Sequence, residues 1–583
     1  MIRTITYILA VICFITDCGL SVTPPGCKVL PVDANWPSIS EWNKLNASLE
    51  GNLIRTVPIG SPCHDPTFDQ VQCDVVRKNW NRTLFHEESP TSIVFEGMFA
   101  NQSCSPFTPP DAQCIIGVYP QYSVNVSTPA HVITAVRFAK QHNVRFIVKN
   151  TGHDGMGKVL GAGSLSIWMH NLQNRTWIDN FSSSRYIGPA VQVQAGVLSD
   201  TLYQDAHQRG HIVIGGSFPT VGIAGGHLQG GGHSVLTNVY GLAADNALSY
   251  EVITPTGRFI RTSPTENEDL FWALSGGGGT TYGIVWSVTV KVFPDVPVVV
   301  GRLNFASFGI SEDLYWDSIA VFQDNTPVFT DGNAYAAAFY DKSTFTLNMF
   351  AVNNSQSGFL QLVKPITSRL NVIGISFNLS VSPFTDLRSA FLNLFGDTQS
   401  RDIYASNSIG VTTTRLLPRL QSTEIALKIK QLTRKLANAG GSVVDLPLRP
   451  TLKIAGNPEN AVLPAWRNSE RHVILIKSLD DSATGDEINT AQMQFRNDFG
   501  EPLKRLTPGA GAYLNEMSRE WIILITADPS DPDWKNDFYG VNYQRLLQIK
   551  DKWDPDGILF GSTAVGGDRW VEQKDGRLCR IIG

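Results

Sequence analysis

Six of the eleven residues from Gly222 to Gly232 are glycine. Glycine loses more backbone freedom on folding than any other residue, so neither a helix nor a strand interior is built from such a run. The segment must form turns, and something must offset what their ordering costs. From the run alone, two readings weigh equally. The turns serve only to reverse the chain, or the bare backbone lets N–H groups approach a phosphate or the edge of a large ring. An earlier loop, Lys149-Asn150-Thr151-Gly152-His153-Asp154, sets one histidine beside a glycine and favours the second reading. A later cluster, Gly276 to Gly279, follows the helical Leu270-Phe271-Trp272-Ala273-Leu274 and needs no more than a helix stop.

A chain of 583 residues is long enough for two or more domains with their own cores. Apolar residues make up 42% and charged residues 17%, the balance of a globular chain. A net charge of -5 with no Lys/Arg block offers no nucleic-acid footprint. At the N-terminus Arg3 precedes an almost wholly apolar Ile5 to Ile15, and Asp17 to Ser21 turns polar and small. This predicts a secretory signal peptide over residues 1–21. The apolar run is too short to span a bilayer, and no later segment is apolar enough, so no membrane partner is expected.

Beyond Cys13 and Cys18, six cysteines remain: Cys27, Cys63, Cys73, Cys104, Cys114 and Cys579. An even number in a secreted chain predicts disulfides. Cys63 with Cys73 and Cys104 with Cys114 close the shortest loops, which leaves Cys27 for Cys579. A zinc site is the rival reading, but no C-x2-C pair supports it, and no metal is expected. Eight N-x-S/T sequons, at Asn46, Asn81, Asn101, Asn125, Asn174, Asn180, Asn353 and Asn378, predict glycosylated surface positions.

Residues 22–114 are rich in Pro, Cys and Trp and read as a disulfide-pinned extension. From Tyr119 the texture changes. Thr128 is a plausible N-cap and Pro129 fits the first helical position. Val132, Ala135, Val136 and Ala139 then recur at helical spacing, Asn143 ends the helix, and Val144 to Val148 is a short strand. Leu248 to Ile253 and Arg258 to Thr262 flank Thr254-Pro255-Thr256-Gly257, a hairpin signal. Residues 296–510 alternate strand-like runs (Ala334 to Tyr340, Thr344 to Val352) with helical ones (Thr423 to Ala439) and read as a separate α+β domain. Residues 511–583 carry Tyr513-Leu514-Asn515-Glu516, expected as a strand, then a helix from Tyr543 to Lys552 and a turn at Trp553 to Gly557. No G-x-G-x-x-G, G-x-S-x-G or H-E-x-x-H occurs, so Rossmann binding and lipase-type or zincin-type hydrolysis lose support.

Several motifs stand in a familiar order. They are Gly152-His153-Asp154, Pro219-Thr220-Val221-Gly222, Gly230-Gly231-Gly232, Tyr240 to Asn246, Glu268 to Ala273 with Gly276 to Gly279, Tyr282-Gly283-Ile284-Val285, Asn542 to Leu546, and Asp554-Pro555-Asp556-Gly557. In these the chain resembles the berberine-bridge-enzyme-like branch of the vanillyl-alcohol-oxidase flavoproteins, and within it the secreted fungal isoamyl alcohol oxidases. The resemblance covers nearly everything after residue 27. It implies an α+β fold: a PCMH-type two-subdomain FAD-binding unit (115–295, completed by 511–583) with an inserted substrate domain.

The family's loop histidine holds FAD covalently through the 8α-methyl group, and that position is His153 here. Gly152, Asp154 and the backbone of Lys149, Asn150 and Thr151 would hold the pyrophosphate. The resemblance extends cofactor contact to Val221, Gly222, Gly226, His227, Gly231, Gly232, Gly241, Ile284, Asn542 and Tyr543. Many relatives add a second bond from a cysteine just before Pro-Thr-Val-Gly. This chain has Phe218 there, so a single tether is expected. A small residue at Val221 admits oxygen in relatives and favours an oxidase. The oxidases often carry C-x-C and a third cysteine, where this chain keeps Cys27 but has Val29 and Asn35.

A base must take a proton while hydride leaves for the flavin. The candidates are His233 and Glu516, at positions usually Tyr in berberine-bridge relatives, with structural hydrogen bonding an equal reading for either alone. Along a regular strand Tyr513 and Glu516 point to opposite faces, so only one can meet the flavin. The expected function is a secreted FAD oxidase of an alcohol or related C–H donor, using O2 and releasing H2O2. Two rivals stand beside it: oxidative cyclisation or dehydrogenation in fungal secondary metabolism, and a flavin-dead binding protein.

Overall fold

The N-cap expected at Thr128 is there: its side chain accepts from the N–H of His131, and the helix Pro129–Gln141 begins on Pro129. Val132, Ala135, Val136 and Ala139 are its buried face. Asn143 then takes φ 53, the left-handed conformation that Asn tolerates, and releases the chain into the strand Arg145–Lys149. The computed structural model describes residues 23–94, 103–397, 410–420, 422–480, 483, 485–516 and 533–581. The expected signal segment and Asn101 lie outside them. No helix of the described residues is long and apolar enough to cross a membrane.

Three sheets organise the molecule. The first has the order Leu53–Arg55, Tyr122–Asn125, Ser164–Trp168, Arg145–Lys149, with the last three strands parallel. Ser164–Trp168 is buried along its whole length, as the centre of a covered parallel sheet must be. Leu53–Arg55 comes from the region read as a separate extension. It pairs antiparallel with Tyr122–Asn125, so one strand of the extension joins this sheet.

The second sheet is antiparallel, ordered Arg175–Ser182, Ile187–Gln194, Ile284–Lys291, Ala247–Ile253, Phe259–Thr262. Its last two strands are the predicted hairpin, with Ile253 opposite Phe259.

The third sheet has seven antiparallel strands, ordered Asn378–Phe384, Val298–Ala306, Thr344–Val352, Ala334–Tyr340, Ser442–Pro447, Ser469–Ser478, Gly410–Pro418. It is apolar on both faces because both are covered. Val299, Leu303, Ala336 and Met349 pack with residues of the helices Glu312–Asp324, Gln356–Val372 and Thr423–Asn438. The alternate residues Val298, Val300, Tyr335, Ala337 and Phe350 belong to the main core, shared with the glycine-rich region and the helix Tyr543–Trp553.

All three expected disulfides are present: Cys63–Cys73, Cys104–Cys114 and Cys27–Cys579, the last joining positions 552 residues apart. Asn143 docks the chain ends as well, donating from its side chain to the Cys27 carbonyl at 2.7 Å.

Candidate active site

The two glycine-bearing loops meet. A Cβ on Gly222 would come 2.7 Å from Thr151 Cγ2, and one on Gly225 would come 2.7 Å from Asn150 Nδ2. At these two positions the run takes glycine because its backbone packs against the loop that follows Arg145–Lys149. Between the glycines Ile223–His227 winds into a π-helical turn broken at Gly225 (φ -83, ψ -146), so part of the run is helical where only turns were expected. Gly226 differs: nothing lies within 4 Å of its missing Cβ, so its backbone borders open space. Gly232 takes φ 76, and a Cβ there would press on His227 Nε2 and Ala243 at 2.8 Å. Gly231, at φ 114, and Gly232 offer their carbonyls to the N–H groups of Ala244 and Ala243. The third cluster does more than end a helix. The N–H groups of Gly276 and Gly278 both donate to the Gln229 carbonyl, at 3.1 and 2.8 Å, docking it on the first cluster.

His153 faces Phe218, with ring centroids 6.1 Å apart, and burial pushes its pKa down to about 4. His227 is near enough to both His153 and His233 to feel their charges. Burial lowers its pKa to about 3, and the charge of His233 adds to the effect. Its Nε2 is buried without a hydrogen-bond partner among the described residues.

Glu516 is gripped from two sides. His233 Nε2 lies 2.6 Å from Oε1, and His472 Nε2 lies 2.8 Å from Oε2. Burial by itself would raise the Glu516 pKa, but the charge and N–H groups of His233 and His472 outweigh it and hold the carboxyl well below the usual range. Glu516 is thus an anion, and both Nε2 atoms are donors.

The His233–Glu516–His472 group has the composition of a metal site. The tautomers argue for hydrogen bonding instead. A metal on the Nε2 atoms would place N–H at both Nδ1 atoms, and metal-bound imidazoles donate that N–H to an acceptor. Neither Nδ1 has one among the described residues.

Tyr513 to Glu516 is a turn, not the expected strand. The turn brings both residues to His233: the Tyr513 ring lies 5.4 Å away, edge on, and Glu516 bonds it directly. Asn515 locks the turn to the glycine run, donating to the Gly226 carbonyl at 2.7 Å and to Tyr513 Oη at 2.9 Å. Gly230 must be glycine for this, because its Cβ would fall 2.3 Å from Asn515 Nδ2.

The structure gives several other expected cofactor residues structural duties. The Lys149 ammonium is buried and donates to the carbonyls of His86 and Glu87, at 3.0 and 3.4 Å, and of Ser89. Asp154 shapes its own loop, accepting from Met156 and Val159, both at 2.9 Å. Gly241 packs on Asp245 and Ala455. Ile284 fills the core beneath the first sheet. Asn542 donates to the Ala461 and Val462 carbonyls, and Tyr543 to Asp568. The side chains of Lys149, Asp154, Ile284, Asn542 and Tyr543 hold elements together. Val221 packs on Gly216, and its carbonyl accepts from the N–H of Ser199 at 2.9 Å.

FAD fits what is present. The glycine backbone borders open space at Gly226, a neutral imidazole stands at His153, and the buried Nε2 of His227 has no hydrogen-bond partner among the described residues.

A family model described as FAD binding domain matches residues 120–263, and one described as berberine and berberine like matches residues 512–560. The fold and site are those of an FAD-dependent oxidoreductase with a berberine-type C-terminal segment. The chain is 36% identical to the VAO-type flavoprotein oxidase VAO615 of Thermothelomyces thermophilus, over 95% of this chain and 96% of that one. It is also 36% identical to the bifunctional decalin synthase calF of Penicillium decumbens, over 97% of each. The crystal structure of the VAO-type flavoprotein MtVAO615 from Myceliophthora thermophila C1 superposes with a TM-score of 0.88 at 35% identity, covering 95% of this chain and all of that one. The chain belongs to this family of VAO-type, FAD-linked oxidoreductases with small-molecule substrates. His472 lies between the two matched segments, and sequence reasoning missed it. A lone histidine in a strand-like run, with no motif around it, gave no signal.

Proposed function

We propose that this protein is a secreted oxidase whose FAD is held covalently by His153 alone, and whose His233–Glu516 pair takes the proton of an alcohol or related C–H donor. The observation that carries the reading is Glu516, an anion held by two imidazoles. When bound, FAD supplies the hydride acceptor and passes the electrons to O2, giving H2O2. Glu516 leaves about a third of its side chain open (34%), against 10% for His233 and none for His472, so it meets the incoming group first. At 2.6 Å the carboxylate and the His233 imidazole act as one acid–base unit, and the accepted proton belongs to the pair.

His153, kept neutral by burial, has the lone pair that a bond to the flavin methyl group requires. Phe218 supplies no sulfur for a second bond. Five sequon asparagines (Asn81, Asn174, Asn180, Asn353 and Asn378) are exposed, and Asn46 and Asn125 are half-buried, which supports passage through a glycosylating route.

The first test is the absorption of purified protein before and after acid precipitation. Yellow colour should stay with the pellet in the wild type and move to the supernatant in His153→Ala. Colour released from the wild type would end the tether reading while leaving FAD binding intact. A mass loss on enzymatic deglycosylation of secreted protein tests the route.

A second reading keeps the FAD site and replaces simple oxidation by oxidative cyclisation or dehydrogenation of one complex product. The relative described as a decalin synthase favours it. Peroxide release with simple alcohols supports the first reading, and silence across such a panel supports the second.

A further inference from the structure

We propose that His472 is a positioning residue: from the seven-stranded sheet it clamps the second oxygen of Glu516, so the proton-accepting pair is complete only where that sheet docks on the FAD-binding unit. This deepens the assignment of His233 and Glu516 and rests on it.

The placement follows from strand periodicity. Val473 and Leu475 of Ser469–Ser478 enter the helix-backed core, so His472 points to the opposite face, toward the site. Its cross-strand neighbours are Leu416 and Leu446, and it has no exposed surface. Stability alone would favour a leucine there, because a buried imidazole with one bonded nitrogen is the costlier choice. The other buried charges of this strand are satisfied within the domain, Glu470 by Thr330 and Arg419, and Arg471 by Asp445. His472 reaches out of the sheet, to Glu516.

The bond directs Glu516 as well as holding it. With Oε2 occupied by His472, Oε1 is left for His233. The titratable groups around Glu516 are His233, His472, His227, Tyr335 and Tyr513, and burial keeps both tyrosines neutral. Around His472 they are Glu516, His233 and Asp445, and Asp445 is already tied to Arg471. No other group stands ready to replace the clamp among these neighbours. Its removal makes the anion more basic and raises the proton affinity of the pair.

The experiment uses holoenzyme labelled with 13C at histidine Cε1, with the His233 signal assigned by its loss in His233→Gln. In His472→Leu the midpoint of the His233 titration should rise by about one pH unit, the tenfold change in affinity expected when a charge-assisted donor is lost. The acid limb of the rate of flavin reduction should move the same way. His472→Gln, which keeps an N–H donor, should return the midpoint toward wild type. If His472→Leu does not fold, His472→Asn, polar but too short to reach Glu516, takes its place. A His233 midpoint unmoved in a variant that melts normally and retains FAD would overturn the proposal, and so would glutamine behaving as leucine does. Failure of the underlying assignment looks different: Glu516→Gln would keep the full rate of flavin reduction, while the midpoint shift in His472→Leu would persist.

Discussion

Burial keeps key histidines of this protein neutral, and that sets its response to acid. His86, with no exposed surface, is the clearest case. Burial pushes its pKa down to about 4, against the favourable bond to the Trp80 carbonyl, and the Lys149 charge adds to the shift. Its folded pKa lies below the unfolded value of 6.5, so its stabilising contribution is complete above that value and is lost as pH falls toward 4. Glu516 has a lowered pKa as well, and its contribution is also lost toward acid, at still lower pH. The melting temperature should therefore fall steadily between about pH 6.5 and about pH 4. Calorimetry across that range checks this, and a flat or rising profile would show that these groups are not buried as described. Little of this was legible in advance, because the sequence gives residue types but not their solvent exposure.

At the scale of elements, the most legible parts were those whose signals are local. The helix Pro129–Gln141, the hairpin strands Ala247–Ile253 and Phe259–Thr262, and the strands Ala334–Tyr340 and Thr344–Val352 stand where caps, turns and periodicity predicted. The cap of the first can be weighed. Thr128→Ala should cost about 1 kcal/mol in urea unfolding, the ordinary worth of an N-cap side chain. The loss reaches the site, because the buried face of this helix packs in one core with the strand that feeds the His153 loop. A variant as stable as wild type would show that the 3.3 Å bond to the N–H of His131 contributes nothing. Tyr513 to Glu516 failed as a strand for the opposite reason. Its conformation is fixed by Asn515 reaching the distant Gly226 carbonyl, which no local pattern encodes.

Across the whole molecule, the ends of the chain are fastened together. Cys27 and Cys579 also pair as an isolated β-bridge, and the Arg577–Asp33 ion pair is buried beside them. The bond closes nearly the entire chain into one loop, so breaking it frees the unfolded state most. The variant with Cys27→Ser and Cys579→Ser should lose roughly 2–5 kcal/mol and melt earlier while keeping FAD content. An unchanged melting temperature would mean that the surrounding bonds already hold the ends. The large sheet matters at this scale too. It carries His472 to Glu516, so the hydrogen-bonded group around Glu516 is assembled from the large sheet and the C-terminal segment together.

The sequence by itself determined the chemistry of the parts. Six glycines in eleven positions demanded a bare, turning backbone, cysteine spacing selected the disulfide pairs, and the motif order pointed to FAD and to His153, His233 and Glu516. Only the tertiary structure decided how they combine. It turned two candidate bases into one hydrogen-bonded pair, added His472, and gave the side chains of Lys149, Asp154, Asn542 and Tyr543 structural work. The physical reason is range. Backbone entropy, capping and loop closure act over a few residues and leave marks in composition and spacing. A hydrogen bond between residues 283 positions apart leaves none.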